Sequence, residues 1–208
     1  MGTPRLRYPR VIAGYDRVYR LWCGLDRPAA AVPPALRVEI RRSYRTVRFA
    51  GGPVIQRGER VGMIHLDNAR LSALHEKGRS PMTIGLEFRR LVIASLDALA
   101  ERARPGQPLA EVSAFMAVTI FHHGLQRLGF EPEPDGLVWP GLTAAYQRAL
   151  LASRHPIGDF RLHRVASARA ERLWISRDRL LARYGTAAAR GGVARAAADV
   201  TTAQPRFG

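Results

Sequence analysis

The chain has 208 residues, with 33 basic side chains against 17 acidic ones and a formal charge of +16. Hydrophobic residues make up 47% and charged residues 24%, enough apolar material for a packed core, which excludes global disorder. No run approaches the ~18 uncharged apolar residues of a bilayer span. The single cysteine, Cys23, excludes an internal disulfide and a cysteine-clustered zinc site.

Tyr8, Val11, Ile12, Tyr15, Val18, Tyr19, Trp22 and Leu25 recur at three and four residues, which predicts an amphipathic helix. Core packing is the expected use of this stripe; the alternative is a helix lying on an anionic membrane interface. Arg27-Pro28 through Pro33-Pro34 breaks the helix. Leu36, Val38 and Ile40 then alternate with Arg37, Glu39 and Arg41 at strand period. Tyr44 to Phe49 and Arg60 to Leu66 read as two further strands, separated by turns at Ala50–Pro53 and Gln56–Glu59. Three strands with short connections suggest an antiparallel meander.

Asn68 is placed to cap a short helix carrying Leu71 and Leu74. Ser80-Pro81 is a helix start, Ser at the cap and Pro at the first turn, and the apolar spacing from Ile84 to Leu99 carries that helix to about Ala103. Val112 to Val118 is apolar almost throughout, as in a central strand. Phe121 to Leu128 reads as a helix closed by Gly129, Phe130 to Glu133 as extended chain, and Pro134-Asp135-Gly136 as a turn. Leu142, Tyr146, Ala149 and Leu150 mark another helix, ended by His155-Pro156. Arg172 to Ser176 is a short strand, and Ser176 caps a last helix through Tyr184. The expected fold is α+β, a small mixed or largely antiparallel sheet packed against several helices in one domain over residues 1–185. Residues 186–208, rich in Ala, Gly and Arg without a periodic apolar face, are expected to be a disordered tail.

All the basic residues except Lys77 are arginine, a bias that a GC-rich genome would produce. The field is nevertheless real and attracts polyanions: anionic lipid, acidic polymer or nucleic acid. The arginines are dispersed, without a basic arm, helix-turn-helix or zinc-finger pattern, so nucleic-acid binding is the weaker expectation.

Three segments taken together, Arg60-Val-Gly-Met-Ile-His-Leu-Asp-Asn68, Gly124-Leu-Gln-Arg-Leu-Gly-Phe130 and Leu173-Trp-Ile-Ser-Arg177, resemble the YkoP-like domain family in order and spacing. The resemblance runs from Tyr15 to Tyr184. Such domains occur alone in spore-forming and related bacteria and fused behind polysaccharide deacetylase domains. The resemblance therefore implies a bacterial setting connected with envelope glycans or sporulation, and no particular reaction. The chain itself has neither an Asp-Asp metal pair nor a His-x3-His segment.

The best candidate for chemistry is His65-Leu-Asp67-Asn68. On a strand His65 and Asp67 project to one side, where a carboxylate can orient an imidazole for general-base work and Asn68 can donate to a substrate. The plainer account is that Asp67 and Asn68 cap the next helix while His65 packs. His122 or His123 could complete such a site if near in space, although adjacent helical residues diverge by about 100°. Six histidines without a His-x-x-x-His or Glu-x-x-His spacing imply no metal, and no cofactor is expected. Ser113, Thr119 and Ser176 carry hydroxyls without a recognisable base, and Cys23 is expected to pack rather than react. Leu128-Gly-Phe-Glu131 also suits an acetyltransferase, but Gln56–Gly62 has its glycines at the wrong spacing for a pyrophosphate loop.

Three functional readings follow. The first is a non-catalytic accessory domain associating with an anionic envelope polymer or membrane surface, cytoplasmic and peripheral at the inner face. The second is a hydrolase or transferase on an envelope glycan or lipid-linked substrate, using His65 and Asp67. The third is a nucleic-acid-binding protein.

Overall fold

A computed structural model describes residues 8–49, 53–67, 81–133, 140–154 and 169–185. Within them five α-helices surround a mixed sheet of six strands and a separate two-stranded hairpin. In chain order the elements are α1 (Tyr8–Trp22), β1 (Ala31–Val32), β2 (Leu36–Arg42), β3 (Val47–Arg48), β4 (Val54–Ile55), β5 (Arg60–Leu66), α2 (Pro81–Arg102), β6 (Ala114–Thr119), α3 (His122–Arg127), β7 (Glu131–Pro132), α4 (Pro140–Arg154), β8 (Glu171–Ser176) and α5 (Arg177–Tyr184). The α+β expectation holds.

The main sheet runs β1-β2-β5-β6-β8-β7, with β5 and β6 parallel and every other pair antiparallel. β2 and β5 pair from Leu36↔Leu66 to Arg42↔Arg60. The β3–β4 hairpin interrupts that long hairpin rather than continuing it, so the expected meander is corrected. Of the strand read from Tyr44 to Phe49, only Val47 and Arg48 pair, with Ile55 and Val54.

Period-two alternation decides the two faces. Leu36 and Val38 on β2, Phe115 on β6, and Leu173 and Ile175 on β8 face a core with Leu96 and Leu99 of α2 and Leu180 and Tyr184 of α5. Gly62 is what lets the buried Phe115 ring cross β5: a Cβ there would stand 2.5 Å from Phe115 Cδ1. Ser95 Oγ, buried in α2, accepts a bond of 2.9 Å from the Ala35 amide. Ser176 caps α5 as expected, accepting from the Arg179 amide at 3.2 Å.

The opposite face is divided. Over β6 and β8 the hairpin contributes Val47 and Ile55 to a cluster with Val61, Ala114, Met116 and Trp174. Over β2 and the far end of β5 the face is polar, with Arg37, Glu39 and Arg41 on one strand and His65 on the other, while Val61 and Met63 of β5 join the apolar cluster under the hairpin. Helix α1 lies here. It meets His65 through Tyr19 and α4 through the edge-on pair Tyr15–Tyr146, 5.3 Å between centroids. Gln147 fixes α4 to the end of β6, donating to Val118 O at 2.7 Å and accepting from the Ile120 amide at 2.8 Å.

This arrangement corrects the core-packing expectation for α1. Leu25, beyond the helix, is buried, and Tyr19 is half-buried, but Tyr15, Val18, Leu21 and Trp22 are exposed at 57, 66, 62 and 84%. Beside the polar end of the sheet face, α1 turns Tyr19, and Cys23 just beyond it, inward among its described side chains. The short helix expected from Asn68, the Pro134–Gly136 turn, His155-Pro156 and the tail from residue 186 lie outside the described residues.

Candidate functional site

His65 sits near the end of β5, directly across from Arg37 of β2, and Glu39 is its diagonal neighbour. A diagonal pair of long side chains can touch across an antiparallel ladder. Here His65 Nε2 lies 3.3 Å from Glu39 Oε2. Glu39 also takes both ends of a guanidinium, from Arg41 Nε at 2.9 Å and Arg41 Nη2 at 2.8 Å. Tyr19 of α1 presents its ring edge-on to His65, with centroids 5.8 Å apart, and its hydroxyl is hydrogen-bonded with the Cys23 thiol. Cys23 in turn contacts Glu39.

The electrostatics of this cluster follow from half-burial. Burial alone would raise the Glu39 carboxyl, but hydrogen bonds from His65, then Arg41, outweigh it and hold the group below the usual carboxylate range. Burial pushes the Tyr19 phenol above its ordinary value, and the neighbouring Cys23 adds to the rise. Burial also raises the Cys23 thiol. Near neutral pH the cluster therefore presents an ionised carboxylate, a protonated phenol and a protonated thiol. Cys23 lacks the thiolate character that nucleophilic chemistry requires.

The residues singled out from sequence are distributed differently. Asp67 is at the same strand end as His65, but Arg37 Nε holds its Oδ2 at 3.0 Å, and Arg37 Nη1 donates to Leu25 O at 2.6 Å. Asp67 thus helps pin β2 to the segment after α1, and the carboxylate recorded on His65 is Glu39. Asn68 lies outside the described residues. His122 is buried in α3, with Nε2 3.4 Å from Glu171 on β8, and its ring meets that of His123 at a tilt of 54° with centroids 4.1 Å apart. Its carboxylate partner is on the second strand across from β5, so His122 serves a contact of its own. Thr119 Oγ1 accepts from the Phe121 amide at 3.0 Å, and Ser176 is consumed as a cap.

Glu39, Arg41 and Tyr19 were not legible as site residues. The alternation Arg37-Val38-Glu39-Ile40-Arg41 puts the three charges on one face, but only the β2–β5 register brings that face to His65. Chemically, a carboxylate on Nε2 can fix the imidazole tautomer and leave Nδ1 as the base nitrogen. Among the described residues no group of three or more His, Cys, Asp or Glu side chains is placed to hold a metal ion.

The family model of the YkoP domain matches residues 9–184. The chain belongs to the YkoP domain family. No curated protein and no solved structure matches it. This YkoP domain has a polar cluster under α1 and an apolar strip on the outside of that helix. No helix among its described residues is long and apolar enough to cross a membrane.

Proposed function

We propose that this YkoP domain is a binding module, not a catalyst, that docks on an anionic membrane surface of the bacterial envelope. One observation carries the reading: Val18, Leu21 and Trp22 are 62 to 84% exposed along one side of α1. At 100° per residue these three and Tyr15 fall within an arc of about 120°. Arg17, exposed, flanks that arc. Apolar side chains with an aromatic at the boundary and arginine alongside suit a helix lying in a headgroup layer. The charge of +16 supplies long-range attraction to anionic lipid. A soluble polyanion would satisfy the arginines but leave the apolar strip in water, so a bilayer is the better match. The envelope context implied by the family resemblance is compatible with this partner.

Cosedimentation with vesicles at physiological salt tests the reading. Binding should require anionic lipid and should survive a competing DNA duplex. Absence of binding to anionic vesicles, or its complete displacement by the duplex, would count against it.

The His65 Nε2–Glu39 Oε2 contact favours a second reading, a hydrolase or transferase on an envelope glycan or lipid-linked substrate. In it His65 is the general base, and Glu39 takes the orienting role first given to Asp67. Product release from peptidoglycan or a lipid-linked precursor that disappears in His65→Ala would establish it. Equal turnover by the variant would dismiss it.

A further inference from the structure

Helix α1 shares its side of the sheet with α4. Val118 of β6 lies two residues from Met116 and so on the same face, opposite to Phe115. It packs with Ala144 of α4, which is buried with Ile120 and Ala170. Helices α1 and α4 therefore lie on one face of the sheet, while α2 and α5 pack on the other.

The two helices meet at Tyr15 and Tyr146. Leu142 is one turn before Tyr146 on α4, about 40° from it around the axis, and both stand about 160° from the buried Ala144. Leu142 is 70% exposed. The outer side of the pair thus carries Val18, Leu21 and Trp22 on α1 and Leu142 on α4, joined through the Tyr15–Tyr146 contact. From Pro140 to Gln147 the α4 sequence has no charged residue, so bringing this end of the helix to hydrocarbon strips no charge of water.

We propose that α4 is a second point of contact with the anionic bilayer, so that the domain docks with its α1–α4 side on the lipid and with α2 and α5 turned away. The inference rests on the membrane reading and adds an orientation to it. A single helix in the headgroup layer leaves the body free to roll about that helix; a contact from a second helix removes this freedom. A second copy of the chain is the poorer occupant. Two molecules of charge +16 repel each other, whereas an anionic surface attracts each of them. Exposure alone does not mark the surface. Met82 is 76% exposed but belongs to α2, which packs on the opposite face, and it therefore serves as the control.

The test is cosedimentation of the full chain with vesicles of phosphatidylcholine and phosphatidylglycerol at physiological salt. Leu142→Ala should weaken binding about three- to tenfold, and Leu142→Trp should strengthen it about as much, both at unchanged melting temperature. Met82→Ala and Met82→Trp should each leave the affinity within about twofold of wild type. Binding that Trp22→Ala weakens but neither Leu142 variant changes would overturn the orientation and leave the membrane reading standing. Equal effects at Met82 and Leu142 would also overturn it. So would a lipid-free dimer, detected by light scattering, that Leu142→Ala dissociates, because a second copy would then occupy the surface. A wild-type chain that ignores the anionic vesicles would overturn both proposals.

Discussion

Replacing Trp22 by alanine should weaken binding to anionic vesicles by roughly thirty- to hundredfold. The magnitude follows from its position. Trp22 is 84% exposed, so its indole is almost wholly available to a partner and contributes little to the fold. An enclosed indole removes roughly 200 Å² from water. A helix lying in the interface immerses about half of such a side chain, and ~100 Å² at about 25 cal/mol/Å² is ~2–3 kcal/mol. Each ~1.4 kcal/mol is tenfold in the partition constant. The assay is cosedimentation with the same vesicles at two salt concentrations. The loss at Trp22 should be nearly independent of salt. Arg17→Glu, by contrast, should cost several-fold at low salt and much less at high salt, because its contribution is screened within a Debye length. The melting temperature of Trp22→Ala should stay within the small range of surface substitutions. Equal binding by wild type and Trp22→Ala would refute the reasoning, since the most exposed apolar side chain among the described residues of α1 would then lie outside the contact.

Gly62→Ala should destabilise the protein by about 1–3 kcal/mol in urea titration, because the new Cβ meets the fully buried Phe115 ring at 2.5 Å and Val38 Cγ1 at 3.1 Å. An unchanged midpoint would mean that Phe115 has room to move. Glu133→Ala should cost about 3–5 kcal/mol, since its side chain is 2% exposed between Arg45 and Arg172 and its removal takes a buried carboxylate from both guanidinium groups; a loss below about 1 kcal/mol would refute this. Glu39 has a folded-state value below its ordinary 4.5, so its contribution to stability is complete above that range and is lost as pH falls through the lower folded value. Lowering the pH from about 6 to about 3 should therefore reduce the urea midpoint more in wild type than in Glu39→Gln. Parallel curves would remove Glu39 from the acid response.

Periodicity was informative wherever the neighbour of an element was also apolar. The alternation of Leu36 and Val38 with Arg37, Glu39 and Arg41 gave the two faces of β2. The unbroken run around Phe115 and Met116 gave a strand buried on both sides, between β5 and β8. Ser80-Pro81 marked the start of α2 at Pro81, and Ser176 the start of α5. The same reasoning failed at α1, because a helical apolar stripe states which side differs, not what covers it. It failed for His65 for a related reason. Strand alternation correctly puts Asp67 on the His65 side, but local spacing carries no information about a second strand. Arg37 and Glu39 reach that side only through the β2–β5 register, and they divide Asp67 and His65 between them.

The uneven covering of the sheet has a dynamic consequence. The β3–β4 hairpin is held over β6 and β8 by Val47 and Ile55 packed on Trp174 and Met116. Among the described side chains, helix α1 is held over β2 and β5 from Tyr15 onward by the Tyr19 edge on His65, the Tyr15 edge on Tyr146, and the Arg37 bond to Leu25 O just beyond it. Edge-on aromatic pairs add about 0.5–1.5 kcal/mol each, and a half-exposed polar contact adds about 1 kcal/mol or less. That sum is small beside the burial that holds β6, so α1 should open as a separate unit while the sheet stays closed. Native-state hydrogen exchange measures this directly. Amides of α1 from Tyr15 onward should exchange at least about a hundredfold faster than those of Phe115 and Met116, a gap of ~3 kcal/mol in opening free energy. Anionic vesicles should slow the α1 amides and leave those of β6 unchanged. Equal protection in α1 and β6 without vesicles would mean that the helix belongs to the global unfolding unit, and the weak-docking argument would fail.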